Sequence, residues 1–330
     1  MNQLLPIVIT SINQPTFAIK AFLKQKNFRL VIVADQKTPN SYQQKSLDFL
    51  TLSTQKKLYP ELAKALPINS YCRKNLGYLF AWQNFATSWL FETDDDNLPL
   101  PTLGLPGFNK DTYTVVKTKA QFFNILALFT KQKAWLRGFP LNLLKENISY
   151  NLQKQLTNPL LVQSLINQDS DFDAVYRLTD GRPLQLKSKL QIALAKNVYG
   201  QVNSQATWWR CQTAPLMYFP VTIAWRTADI WRGYIAQRIL WNFSGSLLYL
   251  SPQVRQKRLR HDPLTDFKAE IPLFTQSQDF VQALNSLELA GTASQQLYQV
   301  YKRLIKLKFF AKTELSILEI WLKQIKKLGL

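Results

Sequence analysis

At 330 residues, with 46% hydrophobic side chains that include nine Trp, 13 Tyr and 20 Phe, the chain can bury a sizeable core, which excludes a disordered tail. Its formal charge of +20, from 41 Lys and Arg against 21 Asp and Glu, implies anionic company: nucleic acid, an acidic membrane surface or phosphorylated substrates. The two cysteines, Cys72 and Cys211, have no metal-ligand spacing and cannot form a disulfide framework, which fits a reducing cytoplasm.

The first residues lack the positive region of a signal peptide, and no window of the chain nears the ~20 apolar residues that span a bilayer. Leu4 to Ile12 reads as a buried strand closed by the polar turn Asn13-Gln14-Pro15. A helical pattern through Phe17, Ala21 and Phe22 leads to a second apolar run, Phe28 to Ala34, which ends in Asp35-Gln36-Lys37-Thr38-Pro39. Strand, helix, strand predicts a parallel sheet, and parallel sheets bind ligands outside the carboxyl ends of their strands. Asp35 and Lys37 then sit where the base or ribose of a nucleotide and its phosphates could be met. No GxGxxG follows the first strand, which argues against a dinucleotide site.

Residues 45 to 66 read as mixed short helices. Tyr71 to Tyr78 opens a helix that runs to about Thr87, and the adjacent cations at its start, Arg73 and Lys74, oppose the helix dipole. They face either solvent or a bound phosphate. Ser88 to Thr93 is a third buried strand, delivering Asp94-Asp95-Asp96-Asn97 to the same sheet edge. Three consecutive carboxylates repel one another. They form either a solvated acidic turn or a set of hard oxygen ligands for magnesium or manganese.

Beyond a Pro- and Gly-containing loop, Tyr113 to Val116 reads as a short strand and Ala120 to Phe129 as a helical pattern. Arg137 beside Gly138 offers a planar fork for a diphosphate, or is an ordinary surface arginine. Residues 142 to 170 are polar and helix-compatible. Asp171 and Asp173 fall on one face of an extended segment, where they could bind sugar hydroxyls, or Asp173 could pair with Arg177. Asn203 to Trp209 supplies amides and two tryptophans suited to a sugar face or to a core. Met217 to Gly233 reads as a strand, a turn and a helix beginning near Asp229, which is then an N-cap, a general base, or both. Leu247 to Leu250 is a short strand, Arg255 to Arg260 is basic, and His261, the single histidine, follows. From Phe280 the pattern is helical. Leu315, Leu318, Leu322, Ile325 and Leu328 are spaced by three or four, with Lys323, Lys326 and Lys327 toward the other face. That end suits an anionic membrane surface or packing onto the body of the protein.

The stretches ITSINQPT, VADQKTP, YCRKNLGYLFA, ETDDDN, WLRGFPL, DFDAVYRLT, NSQATWW and FPVTIAWRTADIWRGYIAQRILW together resemble the STELLO group of glycosyltransferases. That group is related more distantly to the reversibly glycosylated polypeptides, the UDP-arabinopyranose mutases. The matches keep the family's order from residue 8 to about 270. The resemblance implies a GT-A-like α/β fold, a mixed, mainly parallel sheet flanked by helices, with a catalytic domain over 1–275 and a basic helical extension over 276–330. It also implies a nucleotide-sugar donor, in the first instance a UDP-sugar, and Mn2+ or Mg2+.

The same resemblance distributes the roles. Thr10, Asn13, Asp35, Lys37, Arg73, Lys74, Asp94, Asp95 and Arg137 are the expected donor contacts. Asp94, Asp96 and His261 are the expected metal ligands, Asp96 and Asp229 the expected catalytic pair, and Asp173, Trp209, Arg226, Trp231 and Arg232 the expected acceptor contacts. Asp266 and Glu270 stand second in line for acceptor or base roles. The acceptor is expected to be a surface polysaccharide or a lipid-linked glycan. The amino-terminal anchor of the plant members has no counterpart here, so the expected place is the cytoplasm, with a peripheral hold on the inner membrane face. Two other classes compete. A nucleic-acid binder follows from the charge and the aromatics, but no recognition motif appears and a triple Asp in the groove would repel phosphates. A non-catalytic membrane scaffold would keep the fold without turnover.

Overall fold

The structure, a computed structural model, describes residues 4–42, 46–104, 107–257 and 262–330. Its first two strands are apolar on both faces, so each must be covered on both sides. They are β1 (Leu5–Ser11) and β2 (Phe28–Ala34), joined by α1 (Phe17–Phe22), whose start is capped by the Thr16 hydroxyl accepting from the Ile19 N–H. Next come β3 (Leu47–Leu50), α2 (Leu52–Leu58), α3 (Pro60–Ala65) and α4 (Lys74–Asn84). β4 (Trp89–Thr93) leads through the acidic motif to the short β5 (Asn97–Pro99) and to β6 (Asp111–Thr118). The middle of the chain holds α5 (Leu126–Phe129), β7 (Tyr150–Thr157), β8 (Pro159–Asn167), α6 (Ala174–Thr179), β9 (Gln191–Leu194) and β10 (Ala206–Arg210). The long α7 (Trp225–Leu240) and β11 (Ser246–Gln256) precede α8 (Pro263–Asn285), α9 (Ala293–Lys306) and α10 (Glu314–Lys327).

The strands form one mixed sheet in the order β3-β2-β1-β4-β10-β8-β11-β9-β6-β7, with β5 added alongside β11. β3, β2, β1 and β4 are all parallel, with Ile7 opposite both Leu30 and Phe91. Their carboxyl ends therefore share one edge. β10 inserts antiparallel between β4 and β8, Ala206 facing Thr93, so the segment just before β10 starts at that same edge. Apolar side chains fill both faces of the sheet. α4 lies close on β1 and β2 because position 77 is glycine: a Cβ there would stand 2.4 Å from Val33 Cγ2 and 2.6 Å from Val8 Cγ1.

Three expectations are corrected, and the expected domain boundary is located on the fold. Residues 45–66 contain, besides two short helices, the strand β3, whose four residues are too few to show a period. The helix expected over 120–129 shrinks to Leu126–Phe129. Residues 142–170 hold two strands rather than helix. β8 is buried along almost its whole length, and β7 is an edge strand exposed nearly throughout, so its polarity marks position in the sheet and not helical structure. The boundary at 275/276 falls inside α8, which runs unbroken through it.

The last helices use their apolar stripes on the body of the protein. Trp231 of α7 stacks on Phe280 of α8, with ring centroids 4.2 Å apart. Leu318, Trp321 and Ile325 of α10 are fully buried, and Trp321 Nε1 donates to the Pro215 carbonyl at 3.0 Å. Buried Glu314 accepts from the N–H groups of Val221 (3.0 Å) and Thr222 (2.7 Å) and from the Tyr218 hydroxyl (2.6 Å). Among the described residues, no helix is long and apolar enough to cross a membrane.

Candidate active site

A cleft of ≈520 Å³ opens at the shared edge of the parallel strands. Its walls come from the ends of β1 (Thr10, Ser11, Asn13), β2 (Asp35, Lys37) and β4 (Asp94, Asp95, Asp96), from Tyr71 and Arg73, from Arg137 and Asp171, and from Trp225, Arg226 and Asp229 of α7. The chain thus brings together residues more than 200 positions apart, as the parallel order requires.

The three aspartates have different surroundings. Asp95 faces the loop after β1, where its carboxylate accepts from the Ser11 hydroxyl and, at 2.9 Å, from Asn13 Nδ2, while its carbonyl accepts from the Thr16 hydroxyl. Asp94 accepts from the Tyr71 hydroxyl and pairs with Lys74 Nζ at 3.3 Å. Asp96 has one oxygen held by Gln256 Nε2 at 3.0 Å, and the other is buried with no hydrogen-bond partner. Burial first, then the repulsion of Asp94, push the Asp96 carboxyl up to about 7, against the relief from Gln256. Burial likewise raises Asp94, although Lys74 pulls the other way. A partnerless buried oxygen beside a second strained carboxylate is the environment that a hard cation relieves. Among the described residues no three His, Cys, Asp or Glu side chains already form a metal cage, so Asp94 and Asp96 would hold a cation only with oxygens from a substrate or water completing the shell. His261 lies outside the described residues.

On the far wall, Arg137 joins two buried carboxylates. Its Nη2 stands 2.8 Å from Asp171 Oδ2 and 2.8 Å from Asp229 Oδ2, and its Nη1 donates to the Arg226 carbonyl. Burial would raise Asp171, yet Arg137 outweighs it and holds that carboxyl below its ordinary value. For Asp229 burial wins over Arg137 and Arg232, and the carboxyl is raised. Arg226 is fixed in turn by α8, through Glu270 and, at 3.5 Å, Asp266; the other Glu270 oxygen accepts from the Ala174 N–H at the start of α6. Asp266 and Glu270 therefore support this wall.

Residues 226–330 match the family model described as STELLO glycosyltransferases. Probable glycosyltransferase STELLO2 of Arabidopsis thaliana is 27% identical over 289 residues, 79% of this chain and 37% of that protein. Probable glycosyltransferase STELLO1 of the same plant is 25% identical over 287 residues, with the same shares covered. The chain is related to the STELLO glycosyltransferases. It spans 37% of the length of these curated relatives. In this STELLO-related chain the family-model match holds Arg226, Asp229 and Arg232, while the two longer alignments reach over most of the sequence.

Three expected donor contacts are bound within the protein. Lys74 is fully buried, donating to the carbonyls of Thr93 (2.9 Å) and Ser204 (3.1 Å) and to the Tyr71 hydroxyl (2.7 Å), so its charge is spent on holding the end of β4. Arg73 touches the cleft, but its guanidinium donates to Gln55 and to the Leu66 carbonyl. Buried carbonyl and amide oxygens thus answer the cations at the start of α4. Asp35 binds the N–H groups of Asn69 (2.8 Å) and Ser70 (3.0 Å), shaping the loop that faces the strand ends.

Trp209, Trp231, Arg232 and Asp173 do not line the cleft. Trp209 and Arg232 bind buried Glu92 behind it, at 2.6 and 2.7 Å, and Trp231 is core. Asp173 caps α6 with its backbone still extended, and its carboxylate accepts from Tyr176 N at 2.8 Å and from Trp135 Nε1 at 2.6 Å, so both oxygens are engaged away from the cleft. Asp229 lies inside α7, whose N-cap is Ala224, so capping does not account for it. The cleft residues that escaped the sequence include Tyr71, Trp225 and Gln256. The first two lie inside the matched stretches, and only the folded positions separate them from their neighbours; Asp171, one of the expected carboxylate pair, does reach the cleft.

Proposed function

We propose that the protein transfers a sugar from a nucleotide-sugar donor, in the first instance a UDP-sugar, to a glycan acceptor, with a divalent cation such as Mn2+ or Mg2+ held by Asp94 and Asp96. The observation that carries this reading is the convergence of the carboxylates after β2 and β4 and of Asp229 on one cleft, with an Asp96 oxygen buried and partnerless. The similarity to plant proteins named as probable glycosyltransferases supports it. When bound, the cation supplies charge neutralisation for the leaving diphosphate.

The chain's own residues do the rest. Asp95, fixed by Ser11 and Asn13, holds the acidic motif against the loop after β1. Asp35 and the Asn69-Ser70 loop form the donor side, and Lys37 adds a positive charge where the phosphates would lie. Asp229 takes the proton of the attacking hydroxyl: one of its oxygens is anchored by Arg137 and the other has no hydrogen-bond partner, and its raised affinity for a proton suits a general base.

Thermal melting with UDP, UDP-sugars and GDP, each with and without MnCl2, tests the donor claim. A nucleotide at about a hundredfold its Kd should stabilise the protein by ~2.7 kcal/mol. That gain should require metal and vanish in Asp96→Ala and Asp94→Ala. If no nucleotide moves the melting temperature with any divalent metal, the donor reading fails.

A further inference from the structure

We propose that the first turn of α7 is the acceptor subsite and that its ligand is an uncharged pyranose, the C–H face of the sugar lying on Trp225 while one hydroxyl reaches Asp229. The inference rests on the glycosyltransferase reading for the direction of transfer, but the binding it describes stands on the site alone. Trp225 and Asp229 are four residues apart on one helix, so they share a face one turn apart, and both line the cleft. The spacing suits a ring stacked on the indole with its edge toward the carboxylate.

Trp225 is built as a platform. It is 41% exposed, whereas Trp208, Trp209, Trp231 and Trp321 are buried. Tyr71 stacks on it with centroids 5.4 Å apart and planes 28° from parallel, and Arg226 reaches the ring at 5.2 Å. The Tyr71 hydroxyl is itself tied to Asp94 and, at 2.7 Å, to Ser204 Oγ. The indole is therefore held in place beside the acidic motif while a large part of it stays in water, an apolar surface suited to the C–H face of a sugar.

The second observation is the Asp229 carboxylate, 2% exposed, with Oδ1 buried and without a hydrogen-bond partner; its nearest cation there is Arg232 Nη2 at 3.6 Å. A sugar hydroxyl supplies the missing donor. The ligand is uncharged because this wall has no positive charge to spare. Arg137 is balanced by Asp171 and Asp229, and Arg226 by Glu270 and Asp266. A uronate or a phosphorylated acceptor would meet carboxylates already matched to their cations.

Saturation-transfer NMR and isothermal titration with tetrasaccharides of glucose, galactose, mannose and xylose, and with tetragalacturonate, in the presence of UDP and MnCl2, test the proposal. At least one neutral tetrasaccharide should bind. Its affinity should fall roughly tenfold in Trp225→Ala and stay within about threefold in Trp225→Phe, which keeps the ring. Tetragalacturonate should bind more weakly than every neutral tetrasaccharide that binds. Equal affinity in Trp225→Ala, tighter binding of tetragalacturonate, or binding by no neutral tetrasaccharide overturns it. Melting curves of both variants confirm that they fold. If a neutral glycan binds through Trp225 while no nucleotide shifts the melting temperature, the donor reading falls and the subsite stands.

Discussion

Replacing Arg137 by methionine isolates the charge that holds the far wall of the cleft together. The side chain is almost fully buried, sits 2.8 Å from each of two buried carboxylates, and donates to the Arg226 carbonyl besides. Methionine keeps much of the volume and removes every donor. Breaking one buried pair costs about 3–5 kcal/mol. Here two are broken, but Asn203 Nδ2 still donates to Asp171 at 2.8 Å and Arg232 stays 3.6 Å from Asp229, so the expected loss at pH 7.5 is ~4 kcal/mol. The sign of its pH dependence follows from the carboxyls. In the native protein Asp171 is held below its ordinary value, so its contribution is present at neutral pH and is lost on acidification. Without Arg137, burial dominates both Asp171 and Asp229, the folded state takes up protons that the unfolded state does not, and the variant regains stability as pH falls. The deficit should therefore shrink between pH 7.5 and pH 5, measured by urea unfolding at both. A loss under about 1 kcal/mol, or one equal at the two pH values, would refute this account of the wall.

Asp173→Asn should change pH dependence elsewhere. Burial pushes Asp173 up to about 6 from 3.8, so its charged form disfavours folding by ~3 kcal/mol, a cost that appears as pH rises through that interval. Urea melts at pH 4 and pH 7 should show the variant gaining on the native protein by that amount, and parallel curves would exclude it. Glu314→Ala strands the buried Tyr218 hydroxyl and the N–H groups of Val221 and Thr222, for an expected loss of about 3 kcal/mol by calorimetry. Gly77→Ala should lose about 1–2 kcal/mol despite the better helix former, because the new methyl meets Val8 and Val33. The double variant Gly77→Ala with Val33→Ala should recover part of the steric cost, and additive losses in the same melts would show that contact with Val33 is not the cause.

What the sequence made legible was the parallel half of the sheet and its polar ends. β2 emerges with its expected limits, and Asp35 and Asp94 to Asp96 reach one edge, because apolar runs followed by short polar loops leave little freedom. β7 and β8 were hidden for opposite reasons. β7 carries polar residues because it is an edge, and Gln163 and Ser164 interrupt β8 because they bind Asn203 and Ser251 inside the sheet. For the site, residue types were legible and orientations were not. Asp171 and Asp173, read as one pair, separate because α6 starts after Asp173 and takes its carboxylate as a cap, while Asp171 lines the cleft. Lys74, Arg73 and Arg232 read as free charges, and each is buried on a partner that no local pattern announces.

Glu92 on β4 is fully buried and accepts from Trp209 of β10 and Arg232 of α7, with Lys74 of α4 at 3.9 Å. Its counter-charges arrive from segments as far as 140 positions along the chain. A fragment ending before α7 would have to dry an acidic group without Arg232, and one beginning at residue 226 would carry a buried guanidinium without Glu92. The stretch that matches the family model is thus not a portable module. Splitting the chain at residue 220 should yield two pieces that stay unfolded apart and regain structure only when mixed, so that assembly, rather than either half, is the unit on which heritable change in this protein is tested.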